Sequence, residues 1–346
     1  MVYSKKLLLI GFGSIGLTHF KKASKLFDDI TVIDIDERKR RDVLLLGKLM
    51  GIKSRFLTDI KQIHGRELFD LIVIANWGPD HIQTYREVSN LSWSFLIEKP
   101  LVSKLKDLRE LRKQSCHGKI IIANHQWLYS GFHQKVLDMQ VNYDLGPLSG
   151  IQVFGGSRCL VTNGVHFLAM ASQLFSHYPS SVYSIINPLK INPRGENFNY
   201  YGGVSVWNYA TGGQLSVHFQ LASNVSETAR ILFQNGFLQI EDGNMEVYAI
   251  SVEDREKLAK PSWTIRPNKT SKIFSSFSYS SGRDGLDEIY RKFSENSFSL
   301  NDFDPGYHST LGILASLHSS KEEQVVNISD FERIDDDSSQ YDWKIT

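Results

Sequence analysis

Leu7-Leu8-Leu9-Ile10-Gly11-Phe12-Gly13-Ser14-Ile15-Gly16 decides the fold. An apolar run of strand type ends in G-x-G-x-x-G, and the periodic segment Leu17 to Phe27 follows at once and reads as a helix. Strand, glycine turn and helix in that order make a dinucleotide site out of what would otherwise be a plain tight turn. Gly11 permits the turn, Gly13 leaves room for a pyrophosphate beside the backbone, and Gly16 lets the helix pack on the strand. Phe12, Ser14 and Ile15 complete the loop. The helix N-terminus offers free N–H groups and a partial positive charge to phosphates. Ile30-Thr31-Val32-Ile33-Asp34-Ile35-Asp36 is a second strand that ends in acid, and Asp34 falls 18 residues after Gly16. This is close to the spacing of the carboxylate that holds the adenosine ribose hydroxyls.

Working outward, residues 1–124 alternate strand and helix. Helical segments at Arg38–Met50, Asp80–Val88 and Leu105–Gln114 separate apolar strands at Leu71–Ala75, Ser94–Ile97 and Lys119–Ala123, with a short strand candidate at Ser54–Phe56. Apolar strands without alternation, each followed by a helix, predict a parallel sheet covered on both faces. The expected fold is therefore α/β, with an N-terminal doubly wound (Rossmann) parallel-sheet domain. From about residue 145 strand follows strand: Gly150–Phe154, Ser181–Ile186, Gly203–Tyr209, Gln214–Gln220, Arg230–Gln234, Phe237–Glu241 and Met245–Ser251. Their two-faced patterns predict an α+β domain over 125–346, with a large, mostly antiparallel open sheet and helices on one side. Pro261–Ser281 reads as a long loop. Asp284–Phe293 and Gly306–Ser319 read as helices, Val325–Ile328 as an edge strand, and Asp330–Thr346 as a polar surface tail.

Composition narrows the function classes. At 346 residues the chain is too long for one small core. A formal charge of +1 gives no field that favours nucleic acid or an anionic membrane. No run approaches the roughly 20 apolar residues of a membrane span. Cys116 and Cys159 are the only cysteines, too few for a disulfide framework and without CxxC metal spacing. No metal site is expected. The N-terminus leads straight into the first strand, leaving no room for a signal peptide, so a cytoplasmic location is expected.

Further pieces fall in a telling order. Ala75-Asn76-Trp77-Gly78-Pro79-Asp80-His81 follows the fourth strand, Glu98-Lys99-Pro100 the fifth, Leu145-Gly146-Pro147 precedes the second sheet, and Gly164-Val165-His166 opens its first helix. A nucleotide-binding domain with E-K-P at that point, followed by an α+β domain with G-x-H, resembles the Gfo/Idh/MocA oxidoreductases over nearly the whole chain. These are nicotinamide-dependent enzymes acting mostly on sugars, inositols and sugar nucleotides. The resemblance implies that Lys99 and His166 are catalytic. Hydride leaves a carbinol carbon only as the hydroxyl proton leaves, so a base must lie within reach of that oxygen. His166 suits that role, and Lys99 can stabilise negative charge on oxygen. Asn76, His81 and Glu98 join the loop and Asp34 as expected cofactor contacts.

Two positions depart from the family pattern. Thr162 stands where an Asp usually precedes the His by four residues, so no carboxylate charge favours an imidazolium at His166. Asn124-His125-Gln126-Trp127 stands where an Arg is common. The lost cation argues against a strongly anionic substrate and makes His125 and Gln126, with Thr162, candidates for holding sugar hydroxyls. Asp34 favours NAD over NADP, because a carboxylate repels a 2′-phosphate. Arg38-Lys39-Arg40-Arg41 close behind reads as a solvated first helical turn.

The expected function is hydride transfer to or from a carbinol or ketone carbon of a sugar or sugar derivative, sugar nucleotides included. Two alternatives remain. One is a reductase of a non-sugar carbonyl or conjugated compound on the same fold. The other is a catalytically decayed nucleotide-binding sensor or partner protein. A homodimer or homotetramer is expected, built through the open face of the second sheet. That face carries either Trp207 and Tyr209 or the Ser216/His218/Gln220 row.

Overall fold

The computed structural model of the chain describes residues 4–64, 67–156, 158–188, 200–220, 222–241, 243–251, 255, 271–278 and 283–334. The first unit is a six-stranded sheet in the order β3-β2-β1-β4-β5-β6, parallel throughout. Its strands are β1 (Lys6–Ile10), β2 (Asp29–Ile33), β3 (Lys53–Leu57), β4 (Leu71–Ile74), β5 (Ser94–Ile97) and β6 (Ile120–Ala123). Helices α1 (Ser14–Ala23), α2 (Arg40–Met50), α3 (His81–Val88) and α4 (Leu105–Cys116) alternate with them. Strand β4 is buried along its whole length and β1 along all but its first residue, as unbroken apolar runs require when helices cover both faces. The order reverses between β1 and β4, so a crevice opens at the C-terminal strand ends there.

Residues after β6 form a 3-10 turn, Gln126–Tyr129, and helix α5 (Phe132–Asn142), neither among the expected elements. The second unit is a nine-stranded sheet. It contains β7 (Leu148–Gly156), β8 (Pro179–Pro188), β9 (Tyr201–Tyr209), β10 (Gln214–Gln220), β11 (Thr228–Phe233), β12 (Gly236–Glu241), β13 (Asn244–Ala249), β14 (Ser271–Ser278) and β15 (Val326–Asn327). The order is β14-β13-β12-β11-β7-β10-β9-β8-β15, antiparallel except that β7 pairs parallel to β10. Strand β14 corrects the expected loop over 261–281; residues 261–270 and 279–281 lie outside the described residues. Of the tail, 335–346 also lies outside them, and Phe331 is buried rather than on the surface.

Helices α6 (Leu160–Phe175) and α8 (Asp304–Glu322) cover one face of this sheet. Trp207 and Tyr209 point into that layer, and Trp207 Nε1 donates to the carbonyl of Gly312 at 3.1 Å. The other face therefore carries Ser216, His218 and Gln220.

Helix α7 (Arg283–Ser294) comes from the far end of the chain and returns to the first unit. Its stripe Leu286, Ile289, Tyr290 and Phe293 joins the core formed by Leu7, Leu9, Phe20 and Phe27. Lys22 of α1 and Lys25, two residues past its end, both pair with Asp287 of α7. The first unit is thus closed by a helix from the second half of the sequence.

Candidate active site

The glycine loop leaves β1 with Gly11 at φ +92°, a conformation that favours glycine. A Cβ on Gly11 would lie 2.5 Å from the carbonyl oxygen of Ala75, and one on Gly16 would lie 2.1 Å from that of Gly11. Packing alone requires both. Gly13, the N-cap of α1, has ordinary extended φ, and a Cβ there would meet nothing within 4 Å. Nothing in the protein demands glycine at that point. The open space lies at the N-terminus of α1, where N–H groups favour an anion. These residues fit a dinucleotide pyrophosphate.

Asp34 closes the loop. Its Oδ2 accepts the Phe12 N–H at 2.6 Å and Lys39 Nζ at 2.8 Å, while Oδ1 accepts the Asp36 N–H at 2.9 Å. A carboxylate offers about four acceptor positions, so one is left for a ribose hydroxyl.

Three expected cofactor contacts are given other partners. The His81 ring is buried among the carbonyls of Asn76, Pro100 and Leu101 at 3.2–3.3 Å, clamping the β4 and β5 strand ends together. Burial holds its pKa down, against the Glu98 charge and those carbonyls. Glu98 is a buried hub, with Oε1 accepting from His19 Nε2 at 2.9 Å and from Asn124 Nδ2 at 2.6 Å. Burial opposes its charge, but the His19 hydrogen bond and charge, the Lys99 charge and the Asn124 amide outweigh it, and the carboxyl is held at about 2. Asn76 donates from Nδ2 to Thr84 Oγ1 at 2.8 Å, and its Oδ1 is buried without a partner.

The catalytic candidates converge from distant elements. Lys99, after β5, reaches across to α6, where its Nζ donates to the carbonyl of Thr162 at 2.8 Å. His166 lies one turn along α6 from Thr162. Its ring stands edge-on to that of His125, with centroids 5.5 Å apart. Burial first, then the Lys99 charge and the neighbouring His125, push the His166 pKa well below the usual imidazole value. Burial and Lys99 likewise bring His125 down to about 3. Both rings are neutral at physiological pH.

The tautomer of His125 follows from its neighbours. Ser309 Oγ donates its single proton to the carbonyl of Gly306, so at 2.9 Å it accepts from His125 Nε2–H. His125 Nδ1 is then a bare acceptor, buried without a partner, as is Asn124 Oδ1. Gln126 is half-buried, and its backbone carbonyl sits against Gly285 of α7.

His19, on the helix after the glycine loop, reads from sequence as a packing residue and is buried; its pairing with Tyr290 was not foreseen. Both are fully buried, and His19 Nδ1 meets the Tyr290 hydroxyl at 2.7 Å. A polar residue on the inward face of α1 was the available signal for His19; its partner 271 residues away gave none.

No family model matches the chain, and no curated protein matches it by sequence. Solved structures do match its fold. An oxidoreductase from Agrobacterium radiobacter, crystallised with NAD+, L-tartaric acid and magnesium, superposes with a TM-score of 0.69 at 14% identity, covering 95% of this chain and 99% of its own. Myo-inositol 2-dehydrogenase from Lactobacillus plantarum gives 0.68 at 14%, covering 94% and 99%. A candidate NADPH-dependent oxidoreductase from Desulfitobacterium hafniense gives 0.72 at 13%, covering 95% and 99%. The whole two-unit architecture is shared with these proteins. No helix among the described residues is long and apolar enough to cross a membrane.

Proposed function

We propose that this chain is an NAD-dependent oxidoreductase of the Gfo/Idh/MocA type. It moves hydride to or from a carbinol or ketone carbon of a sugar or sugar derivative. The observation that carries the reading is the meeting of Lys99, Thr162, His166 and His125 at the crevice whose first loop holds open the space at Gly13. The architecture shared with oxidoreductases, one of them an inositol dehydrogenase and one crystallised with NAD+, supports it. In this reading 1–124 is the nucleotide unit, to which α7 is added, and 125–346 binds substrate and builds the oligomer.

The nicotinamide, when bound, accepts or supplies the hydride. The chain's own residues manage proton and orientation. Neutral His166 takes the carbinol proton, and the Lys99 ammonium stabilises the developing charge on oxygen. His125 Nδ1, Asn124 Oδ1 and Asn76 Oδ1 are acceptors whose companion nitrogens are committed elsewhere. Each gains by meeting an O–H or N–H, because a buried unpaired acceptor costs about 1–3 kcal/mol. Such a lining suits a ligand rich in hydroxyls and an amide.

A second reading, a nucleotide-binding protein without turnover, draws on Thr162, which has no charge to offer His166. The two are separated by assaying the purified chain with NAD+ or NADH against polyols, aldoses, ketoses and sugar nucleotides, following nicotinamide absorbance. Turnover is expected. Lys99→Met should lower it about a hundredfold with NAD+ binding retained. Unchanged turnover in that variant would reduce Lys99 to a strand-end lysine, and binding without turnover across the panel would favour the second reading.

A further inference from the structure

The corner after β2 is electrically balanced, and that bears on which dinucleotide it accepts. Asp34, the carboxylate tied to the glycine loop among the described residues, holds two backbone N–H groups on its inner side. Its third partner is a side chain, the Lys39 ammonium at 2.8 Å. The carboxylate is nearly buried while Lys39 is about one-third exposed, so the cation is the outer partner of the pair. Ile35, 93% exposed, leaves the corner open to solvent. The neighbouring charges cancel in pairs: Arg38 holds Asp36 through Nε and Nη2 at 2.8 and 2.9 Å, and Arg40 holds Glu37. Arg38 is committed to Asp36 on the solvent side, and among the described residues Lys39 is the side-chain cation paired with the carboxylate that faces the ribose in the reading above.

We propose that Lys39 sets the choice between NAD and its 2′-phosphorylated form, and that the chain binds both. The proposal rests on Asp34 being the ribose ligand. A bare carboxylate there repels a 2′-phosphate. With the Lys39 ammonium upon it, the local charge is close to zero. Lysine is a compact cation on a flexible stem with three donors. It stays on Asp34 beside ribose hydroxyls when NAD binds, and turns to the phosphate when NADP binds. Asp34 keeps its two backbone hydrogen bonds in either case, so the loop is undisturbed.

Calorimetric titration of the full chain with NAD+ and, separately, NADP+ tests this. The wild type should bind both, with dissociation constants within about tenfold of each other. Lys39→Met should weaken NADP+ by roughly tenfold or more while NAD+ changes less than about threefold, and Lys39→Arg should restore NADP+ binding. Arg38→Gln should move the ratio less than Lys39→Met. A wild type that binds NAD+ and excludes NADP+, or a Lys39→Met variant with an unchanged ratio, would overturn the proposal. Failure of the wild type to bind either nucleotide would instead overturn the cofactor reading beneath it.

Discussion

Replacing Gly13 by alanine separates ligand space from packing space within one loop. The added methyl meets nothing within 4 Å, and φ −79°, ψ −162° suits any residue. Alanine is a poorer N-cap than glycine by roughly 0.5–1 kcal/mol, while the stiffer unfolded chain returns about 0.4–1 kcal/mol. The two nearly cancel, so the melting temperature should stay within about 3 °C of wild type. Nucleotide affinity should behave differently. A methyl in the pyrophosphate position displaces it from one or two backbone N–H groups. Each charge-assisted hydrogen bond is worth about 1.5–3 kcal/mol, so affinity for NAD+ should fall by at least about tenfold and up to a thousandfold. Gly16→Ala is the contrasting control, because its methyl would lie 2.1 Å from the Gly11 carbonyl oxygen. It should fail in thermal unfolding itself, before any ligand is added. The assay is a thermal melt followed by NAD+ titration of each variant. Wild-type affinity in Gly13→Ala would refute the assignment of the open space to phosphate. A loss of stability equal to that of Gly16→Ala would show that the space is structural.

Two further predictions test the chemistry and the assembly. Thr162 and His166 are one helical turn apart, so a carboxylate at 162 should raise the His166 pKa by about 1–2 units against burial and Lys99, while Thr162→Asn should not. The wild-type ring should be neutral at physiological pH by imidazole NMR, and the oxidative rate should reach its plateau at lower pH than in Thr162→Asp; an identical titration in all three proteins would place His166 outside the proton path. The open sheet face carries exposed Phe154, Tyr183 and Ile185, an apolar patch suited to pairing two copies. A homodimer or homotetramer is expected in sizing with light scattering at micromolar concentration, with Ile185→Glu shifting it toward folded monomer; a monomeric wild type would refute this.

What the sequence made legible follows the range of the interactions. The loop from Gly11 to Gly16 and the buried strands β1, β4 and β5 were readable because turn chemistry and apolar runs are local. Strand β14 was not, since Ser271–Ser278 carries a composition usual for loops and is ordered by pairing with β13. The parallel pairing of β7 with β10 was also hidden, because alternation says which face of a strand is buried and nothing about its neighbour. The open-face question was left with two answers for the same reason. Either register of β9 would have shown one apolar row, and contact with α8 selected the row containing Trp207.

The candidate site divides in the same way. Lys99 and His166 were marked by their place in an ordered set of motifs, whereas His81 and Glu98 were marked by the same set and turn out to be held by the protein itself. A motif records that a residue type is needed at a position without recording which partner needs it. Glu98 is needed by His19, which in turn meets Tyr290, a residue that reaches the first unit only because α7 returns to it. Both rings are fully buried, and His19 joins Tyr290 to Glu98. Removing either polar end would strand a buried donor or acceptor beside an ionised carboxylate, a larger cost than the loss of an exposed pair. The chain that begins at Tyr290 ends at Asn124, whose Nδ2 is fixed on Glu98 and whose Oδ1 is thereby aimed as an acceptor. The orientation of a group at the crevice is therefore set by Tyr290, 166 residues further along the chain than Asn124, which no reading of local pattern can supply.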